Sequence, residues 1–349
     1  MIEKVYPPQL PGWLAAGGDD FEVVIASEAF YVRNLADRPF PNRLDDEEIA
    51  HTRKQLRDSI ASLLSGYSYH ETGAMDELER EYLAERLSAP RELLESHRGT
   101  GLLLSPDESS WVCLNSFDNL RFRFATAGGD IEGAYREARR LEEQLEGELP
   151  FAYSERFGFL TSRPAECGTG LVLRSYVHIP GIIFTNGFSD LRDRLLKTGT
   201  TLRPALDESM SSEGHIFVMD TAHTLGVDEE ELLSTSRGMI SELAKMEFEA
   251  RRSITSRARF QIEDKILRGI GVLTHAKLIA KSEGYALANA LRLGSAEKLL
   301  EGGIDVIGAT ELYFVGQSAH ITLAAGEGND LMKDTYRAEL FKSYLNRKE

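Results

Sequence analysis

Hydrophobic and polar positions alternate in several short segments of the first 254 residues, which is the pattern of half-buried strands. The segment 119–127, NLRFRFATA, alternates most regularly. Further segments are rich in β-branched and aromatic residues or in short apolar runs. They are 21–35, 101–105, 110–115 and 171–180, with two more strands and an intervening loop expected within 200–221. These segments predict a sheet.

Other segments carry apolar residues at helical spacing, beginning with 45–64, where an acidic first turn precedes the apolar face. The other helices predicted in this part of the chain are 74–87, 130–149, 189–197 and 228–254. After about residue 255 the strand signals fade. The segments 259–276, 295–302 and 329–348 are typical of packed helices. We therefore predict an α+β domain over 21–254 and an all-helical domain over 255–349, after a loose Pro- and Gly-rich arm over 1–20.

Composition narrows the classes of partner. The 349 residues are 42% hydrophobic and 28% charged, with a formal net charge of −16, which opposes binding to nucleic acid or to an anionic membrane. Cys113 and Cys167 provide neither a disulfide framework nor a zinc site. No secretory signal pattern and no apolar run of about 20 residues is present. These features predict a cytoplasmic protein without a nucleic-acid or membrane partner.

The segment 162–176, SRPAECGTGLVLRSY, has the pattern of a glycine turn that leads into a strand, a shape that often holds an anion. The longer run 158–171, GFLTSRPAECGTGL, resembles the signature segment of the ATP:guanidino phosphotransferases, or phosphagen kinases. LNSFDNLRF (114–122) resembles the family's N-E-E-D-H-L-R strand. VIASEAFYVRNL (24–35) and TLGVDEEEL (224–232) are similar to segments of the bacterial protein arginine kinases. The order and spacing of these segments agree over nearly the whole chain.

The resemblance implies a phosphagen-kinase-like antiparallel sheet flanked by helices, followed by an all-helical C-terminal domain that mediates homodimerisation. It also implies Mg-ATP as the cofactor, with arginines around the phosphates. Four of those arginine positions hold Glu28, Phe30, Val172 and Leu206. Each charge-assisted hydrogen bond contributes about 1.5–3 kcal/mol, whereas a micromolar nucleotide is bound by only about 8 kcal/mol. These departures predict weak binding of ATP or none.

The carboxylates that orient and deprotonate the guanidinium in the family are also replaced. Their positions hold Phe117 and Ser211, and only the neighbouring Asp118 is retained. Arg163 and Glu166 replace a cysteine and an asparagine of the signature. We therefore predict that no catalytic residue remains.

Some arginines are retained or offer compensation. Arg121 matches the arginine of the N-E-E-D-H-L-R strand, and Arg203 begins the later loop. Arg174 shares a strand face with Val172, and Arg123 shares one with Arg121, since residues i and i+2 point to the same side. Arg121, Arg174 and Arg203 are thus a possible residual nucleotide site. Asp207 or Glu208 is a candidate to approach the substrate position in place of the lost carboxylate. Alternatively, the compensating candidates, Arg174 and Arg123 together with Asp207 and Glu208, are ordinary surface charges on half-buried strands.

KDTYRA (333–338) resembles the R-D-x-x-R-A motif of the protein arginine kinases, which forms a phosphoarginine pocket separate from the active site. Lys333 and Arg337 lie at i and i+4 of a predicted helix, with Asp334 beside them. Two cations suit a phosphate and a carboxylate suits a guanidinium. The alternative is a solvated helix face.

The leading hypothesis is a divergent relative of the protein arginine kinases, catalytically impaired, with a regulatory or phosphoarginine-binding role in protein arginine phosphorylation and Clp-linked quality control. Its expected partners are a second copy of itself, arginine-phosphorylated proteins, an arginine kinase activator or Clp ATPase components. The alternatives are an active ATP-dependent protein arginine kinase and a purely structural dimer.

Overall fold

A computed structural model describes residues 10–15, 17–94, 99–205, 207–221, 223–300 and 304–346. Its strands are β1 (Val24–Arg33), β2 (Ser68–Glu71), β3 (Gly101–Leu104), β4 (Ser110–Leu114), β5 (Leu120–Ala127), β6 (Tyr153–Ser154), β7 (Gly158–Phe159), β8 (Leu171–His178), β9 (Thr200–Pro204) and β10 (Ile216–Thr221). Eight of them form one sheet in the order β2-β3-β4-β5-β1-β8-β10-β9, and β6 pairs with β7. Every neighbouring pair of the large sheet is antiparallel, which confirms the predicted α+β class.

The helices are α1 (Gly12–Ala15), α2 (Asp46–Ile60), α3 (Glu77–Glu85), α4 (Arg91–Leu94), α5 (Ile131–Glu146), α6 (Pro180–Phe184), α7 (Phe188–Lys197), α8 (Glu208–Ser212), α9 (Glu229–His275), α10 (Lys281–Ala296), α11 (Val306–Val315), α12 (Ser318–Ala325) and α13 (Asp330–Leu345). Single 3₁₀ turns occupy Pro41–Arg43, Thr72–Ala74 and Pro164–Glu166. Asp45 and Asp76 begin α2 and α3 with capping boxes, and each accepts a hydrogen bond from the backbone of a glutamate three residues later.

The two faces of the sheet are covered differently. Ala29, Tyr31, Phe122 and Leu173 point to one face and form a core with α5 and the first half of α9. The opposite face carries the residues of alternate register, such as Glu28, and is covered only in part. A cavity therefore remains above the middle strands on that face.

The helical region packs directly on the partly covered face. Tyr176 and Ile216 of the sheet share a core with Leu291, Tyr313 and Phe341 of α10, α11 and α13. The sheet and the last helices thus bury one common apolar surface.

The helix predicted to end at residue 254 continues instead to His275, so α9 runs through the predicted domain boundary at 255. It bends at Ala258, whose φ of −137° and ψ of 35° are not helical. The helix predicted over 295–302 is wrong for the described residues, because α10 ends at Ala296 and Lys298 takes a positive φ. Of the predicted loose arm, residues 1–9 and 16 lie outside the described residues. Trp13 of the remainder is buried against Phe314, with ring centroids 6.0 Å apart.

Candidate functional site

The glycine turn of 168–170 forms the tight connection that the sequence predicts. Gly168 and Gly170 both have positive φ, at 107° and 64°. A Cβ on Gly168 would lie 2.3 Å from the carbonyl oxygen of Thr224, and one on Gly170 would lie 2.4 Å from Nη1 of Arg33. The backbone conformation and the close approach of neighbours therefore both require glycine here.

A cavity of about 560 Å³ lies above β1, β5, β8 and β10 and is rich in charge. Its charged lining residues are Arg91, Arg121, Arg123, Arg163, Arg174, Arg203, Glu28, Glu92, Glu166 and Asp220. Arg121, Arg174 and Arg203, predicted as a residual nucleotide site, are thus brought together. The interpretation as an ordinary surface charge is wrong for Arg123, which is buried. Leu206, the fourth replaced position, lies outside the described residues.

Five of these residues form what we call the charge ladder: Arg123, Glu28, Arg174, Asp220 and Arg203. They lie on β5, β1, β8, β10 and β9, which are five successive strands, so positive and negative groups alternate across the sheet. Glu28 is directly opposite Arg174, and Arg174 is directly opposite Asp220. The four successive N···O distances along the ladder are 2.5, 3.9, 2.5 and 2.8 Å.

Carboxylates also hold the remaining arginines of the cavity. Arg121 lies 3.3 Å from Glu166, and Arg163 lies 3.5 Å from both Glu166 and Glu92. Arg91 pairs with a carboxylate of α3. Every arginine that lines the cavity in the described part of the chain is therefore within ion-pair distance of an acid.

Electrostatics keep the centre of the charge ladder ionised. Burial disfavours the Asp220 carboxylate, but the guanidinium groups of Arg174 and Arg203 outweigh this effect and lower the pKa of Asp220. Burial likewise disfavours the charged form of Arg174, yet Asp220, Tyr176 and Glu28 raise the pKa of Arg174 well above its usual value. At neutral pH Arg174 and Asp220 are therefore both ionised, and their opposite charges offset each other.

Two of the replaced arginine positions form an apolar patch. Phe30 and Val172 are directly opposite each other on β1 and β8. Both belong to a core cluster that includes Trp111. The guanidinium carbons of Arg121 and Arg174 lie 5.6 and 4.8 Å from the centre of the Phe30 ring. The replacements thus pack against each other and leave no cationic group at these positions.

The former carboxylate positions offer no proton acceptor of suitable strength. The Phe117 side chain is 42% exposed, and its ring centre lies 5.4 Å from the guanidinium carbon of Arg163. Ser211 is buried, and its hydroxyl donates to the carbonyl oxygen of Ile216 at 3.1 Å. Neither residue can serve as a general base for a guanidinium.

The retained Asp118 has a structural task. Its Oδ1 accepts from Nδ2 of Asn34 at 2.6 Å and from the backbone N–H of Ser162 at 2.7 Å, while Oδ2 accepts from the Ser162 hydroxyl at 2.8 Å. Asp118 therefore fixes the loop that precedes the glycine turn. Asp207, the other candidate substitute, caps α8 and lies 2.6 Å from Nζ of Lys281, while Glu208 is exposed on α8.

Mg-ATP does not fit this set of residues. A triphosphate needs cationic donors that are available to its oxygens. The arginines of the charge ladder already donate to acids, and Glu28 adds a negative charge to the cavity. Within the described residues, no group of three or more His, Cys, Asp or Glu side chains could hold a metal ion.

The structure places Lys333, Asp334 and Arg337 together on α13, but Arg337 is only 2% exposed. Its Nε donates to the carbonyl oxygen of Gly316, and its Nη1 donates to that of Ile279 and to Asp334, each at 2.7 Å. The expectation that Arg337 lies on an exposed helix face is therefore wrong, because its guanidinium joins α13 to two neighbouring segments. Phosphoarginine binding itself stays a prediction.

Sequence reasoning did not identify Asp220 and treated Glu28 only as the replacement of an arginine. The signal for Asp220 is its position in HIFVMDT (215–221), on the same strand face as Val218. The partner of each ladder residue lies on another strand, so it becomes visible only when the strand register is known.

The sheet with its cavity and flanking helices defines the guanidino-kinase class of phosphotransferase folds. Lombricine kinase superposes with a TM-score of 0.55 at 17% identity, over 67% of this chain and 68% of that one. The duplicated taurocyamine kinase from Schistosoma mansoni gives a TM-score of 0.57 at 20% identity, over 69% of this chain and 36% of that one. This chain thus spans about a third of that duplicated protein. These likenesses confirm the phosphagen-kinase-like fold.

The family follows from the sequence matches. Residues 49–250 match the family model described as "ATP:guanido phosphotransferase, C-terminal catalytic domain", and residues 259–349 match "Protein-arginine kinase McsB C-terminal domain". The chain belongs to the ATP:guanido phosphotransferase family, as a relative of the bacterial protein-arginine kinases. The protein-arginine kinase of Pelotomaculum thermopropionicum is 31% identical over 95% of this chain and 94% of its own length. That of Halothermothrix orenii is 28% identical over 99% of both chains. None of the described helices is both long and apolar enough to cross a membrane.

Proposed function

We propose that this chain is a protein-arginine-kinase homologue that has lost phosphoryl transfer and acts by binding, that is, a pseudokinase. The charge ladder carries this proposal, because Arg174 and Arg203 are bound to Asp220 and Arg123 is bound to Glu28. Phosphoryl transfer depends on positioning and on cations that neutralise the phosphate charge. Arginines whose charge is already neutralised by acids of the chain contribute little to positioning a phosphate or to neutralising its charge.

The substrate side supports the same proposal. A positioned general base typically contributes a factor of about 10²–10⁴ in rate. Phe117 cannot accept a proton, and the Ser211 hydroxyl is already engaged with a backbone carbonyl. We therefore expect that Mg-ATP binds weakly and that transfer to arginine is absent or very slow.

The regulatory part of the proposal rests on the resemblance of sequence segments to the protein arginine kinases. A cytoplasmic homodimer formed through the helical region would bind arginine-phosphorylated proteins, an arginine kinase activator or Clp ATPase components. Lys333 and Asp334 are half-buried on α13, where Asp334 accepts from Nη1 of Arg337 at 2.7 Å. Arg337 would join them only by exchanging its carbonyl partners for a phosphate.

Incubation with Mg-ATP and an arginine-rich protein, followed by detection of acid-labile phosphate, tests the loss of catalysis. We expect no phosphate transfer, while the Halothermothrix orenii protein-arginine kinase assayed in parallel serves as the positive control. Turnover that disappears in Arg121→Ala would refute the pseudokinase and favour an active kinase with substituted residues.

Calorimetry with free phosphoarginine tests the binding role. Since the phosphate needs a cation and the guanidinium needs Asp334, we expect phosphoarginine to bind about tenfold or more tightly than arginine or phosphate alone. Asp334→Asn should remove this preference, and Glu339→Gln on the exposed face of α13 is the matched control. Absence of binding, or binding unaffected by Asp334→Asn, would leave only the structural dimer.

A further inference from the structure

The Glu28 carboxylate occupies a position that suits an anionic ligand. It lies in the cavity, yet the residue is only 1% exposed. Its Oε1 is 2.5 Å from Nη1 of Arg123, and its Oε2 is 3.9 Å from Nη1 of Arg174. Oε2 has no hydrogen-bond partner among the described residues. Glu28 is thus a buried acid between two guanidinium groups, and only one of its two carboxylate oxygens accepts a hydrogen bond.

The two guanidinium groups are held in place by partners other than Glu28. Arg123 donates from Nη1 to the carbonyl oxygen of Leu87 at 2.8 Å and from Nη2 to that of Glu108 at 2.9 Å. Arg174 donates from Nε to Asp220 at 2.5 Å. Because these contacts fix both cations independently, the space between them is already organised as an oxyanion receptor.

We infer that Glu28 is a built-in anion that fills a latent oxyanion site, and that its removal opens this site to a tetrahedral oxyanion of the size of inorganic phosphate. Without Glu28, the charge ladder has three arginines and only one acid, Asp220. The neighbouring cavity provides the space that phosphate needs beyond the volume of a carboxylate. The inference rests on the proposed function, because it names the contact that keeps phosphate out.

The test is thermal denaturation of the full chain in inorganic phosphate, with chloride added to hold ionic strength constant. We expect no phosphate-dependent change in the melting temperature of the wild type. Glu28→Ala should melt at a lower temperature, because it leaves two buried cations without an acid between them. Phosphate should raise the melting temperature of Glu28→Ala by several degrees, and this increase should grow with the logarithm of phosphate concentration.

Glu142→Ala is the matched control. Glu142 pairs with Arg33 at 2.8 Å, and both side chains are fully buried on the opposite face of the sheet. Its removal also leaves the buried Arg33 without its acid, and Arg139 without one of its partners, but the described cavity does not reach these residues. We expect a comparable loss of stability without specific rescue by phosphate.

Glu28→Ser provides a second route, since its short polar side chain also leaves the space between the two guanidinium groups open. Calorimetry on this variant should detect phosphate binding that the wild type lacks, even if Glu28→Ala does not fold. If neither variant responds to phosphate, or the wild type responds equally, the inference is wrong. Failure of the proposed function would appear separately, as transfer of phosphate to arginine by the wild type.

Discussion

Arg174 is the residue on which the balance of the cavity depends, because it separates Glu28 from Asp220 at the centre of the charge ladder. Arg174→Ala would leave two acids facing each other with little access to water. Removal of one partner from a buried ion pair costs about 3–5 kcal/mol. We expect the free energy of unfolding, measured by urea denaturation, to fall by about 3 kcal/mol.

Arg203→Ala is the contrasting variant. Arg203 also binds Asp220, but its side chain is 44% exposed, and exposed pairs contribute about 1 kcal/mol or less. An equal decrease in the free energy of unfolding in Arg174→Ala and Arg203→Ala would contradict the central role of Arg174.

These residues also mark the limit of sequence reasoning at this scale. The departures at Glu28, Phe30 and Val172 were visible from the resemblance alone. Their compensation was not, because Arg123 and Glu28 are 95 residues apart and meet only through strand register. In the sequence alone, a substituted residue that has an internal ion-pair partner cannot be told from one that has none.

At the scale of elements, Glu85 at the end of α3 holds the beginning of α12. Its carboxylate accepts from the backbone N–H groups of Ala319 and His320 at 2.9 and 3.1 Å, and from Nδ1 of His320 at 2.9 Å. These N–H groups have no partner within the helix, so an acid from another element satisfies them. Glu85 thereby connects the region beside the cavity to the helical region.

We expect Glu85→Ala to increase hydrogen exchange of the amides at the start of α12 while the central strands keep their protection. Loss of a charged acceptor costs about 1.5–3 kcal/mol, which appears first as local opening. Glu81→Ala on the same helix is the control, since Glu81 forms only a partly exposed pair with Arg91. Unchanged exchange in α12 after Glu85→Ala would show that apolar packing alone fixes this helix.

Elements with a strong local pattern were predictable. The alternation of 119–127 and the acidic start of α2 gave correct assignments, because burial and capping act within a few residues. The short β2 was not predicted, because it depends on pairing with β3, which lies 30 or more residues further along the chain. The two halves of α9 were predicted as separate helices, but their fusion into one helix was not.

At the scale of the whole molecule, the sheet and the last helices share one apolar core. A chain that ends at residue 258 would expose Tyr176 and Ile216 where α10, α11 and α13 normally cover them. We expect the full chain to give one calorimetric transition and the shortened chain to lose cooperative melting. A sharp transition of the shortened chain near the original temperature would contradict a shared core. A separately expressed 259–349 segment, added back, controls for simple loss of solubility.

The charge ladder also has a consequence for how such a protein changes over generations. Glu28→Arg alone would place a third guanidinium beside Arg123 and Arg174, where the like charges repel one another. Reversal of Phe30 or Val172 alone would insert a charge into a packed apolar pair. Several substitutions would have to arrive together. We therefore expect each single arginine substitution at these positions to destabilise the chain, and only a combination of them to give a cationic cavity.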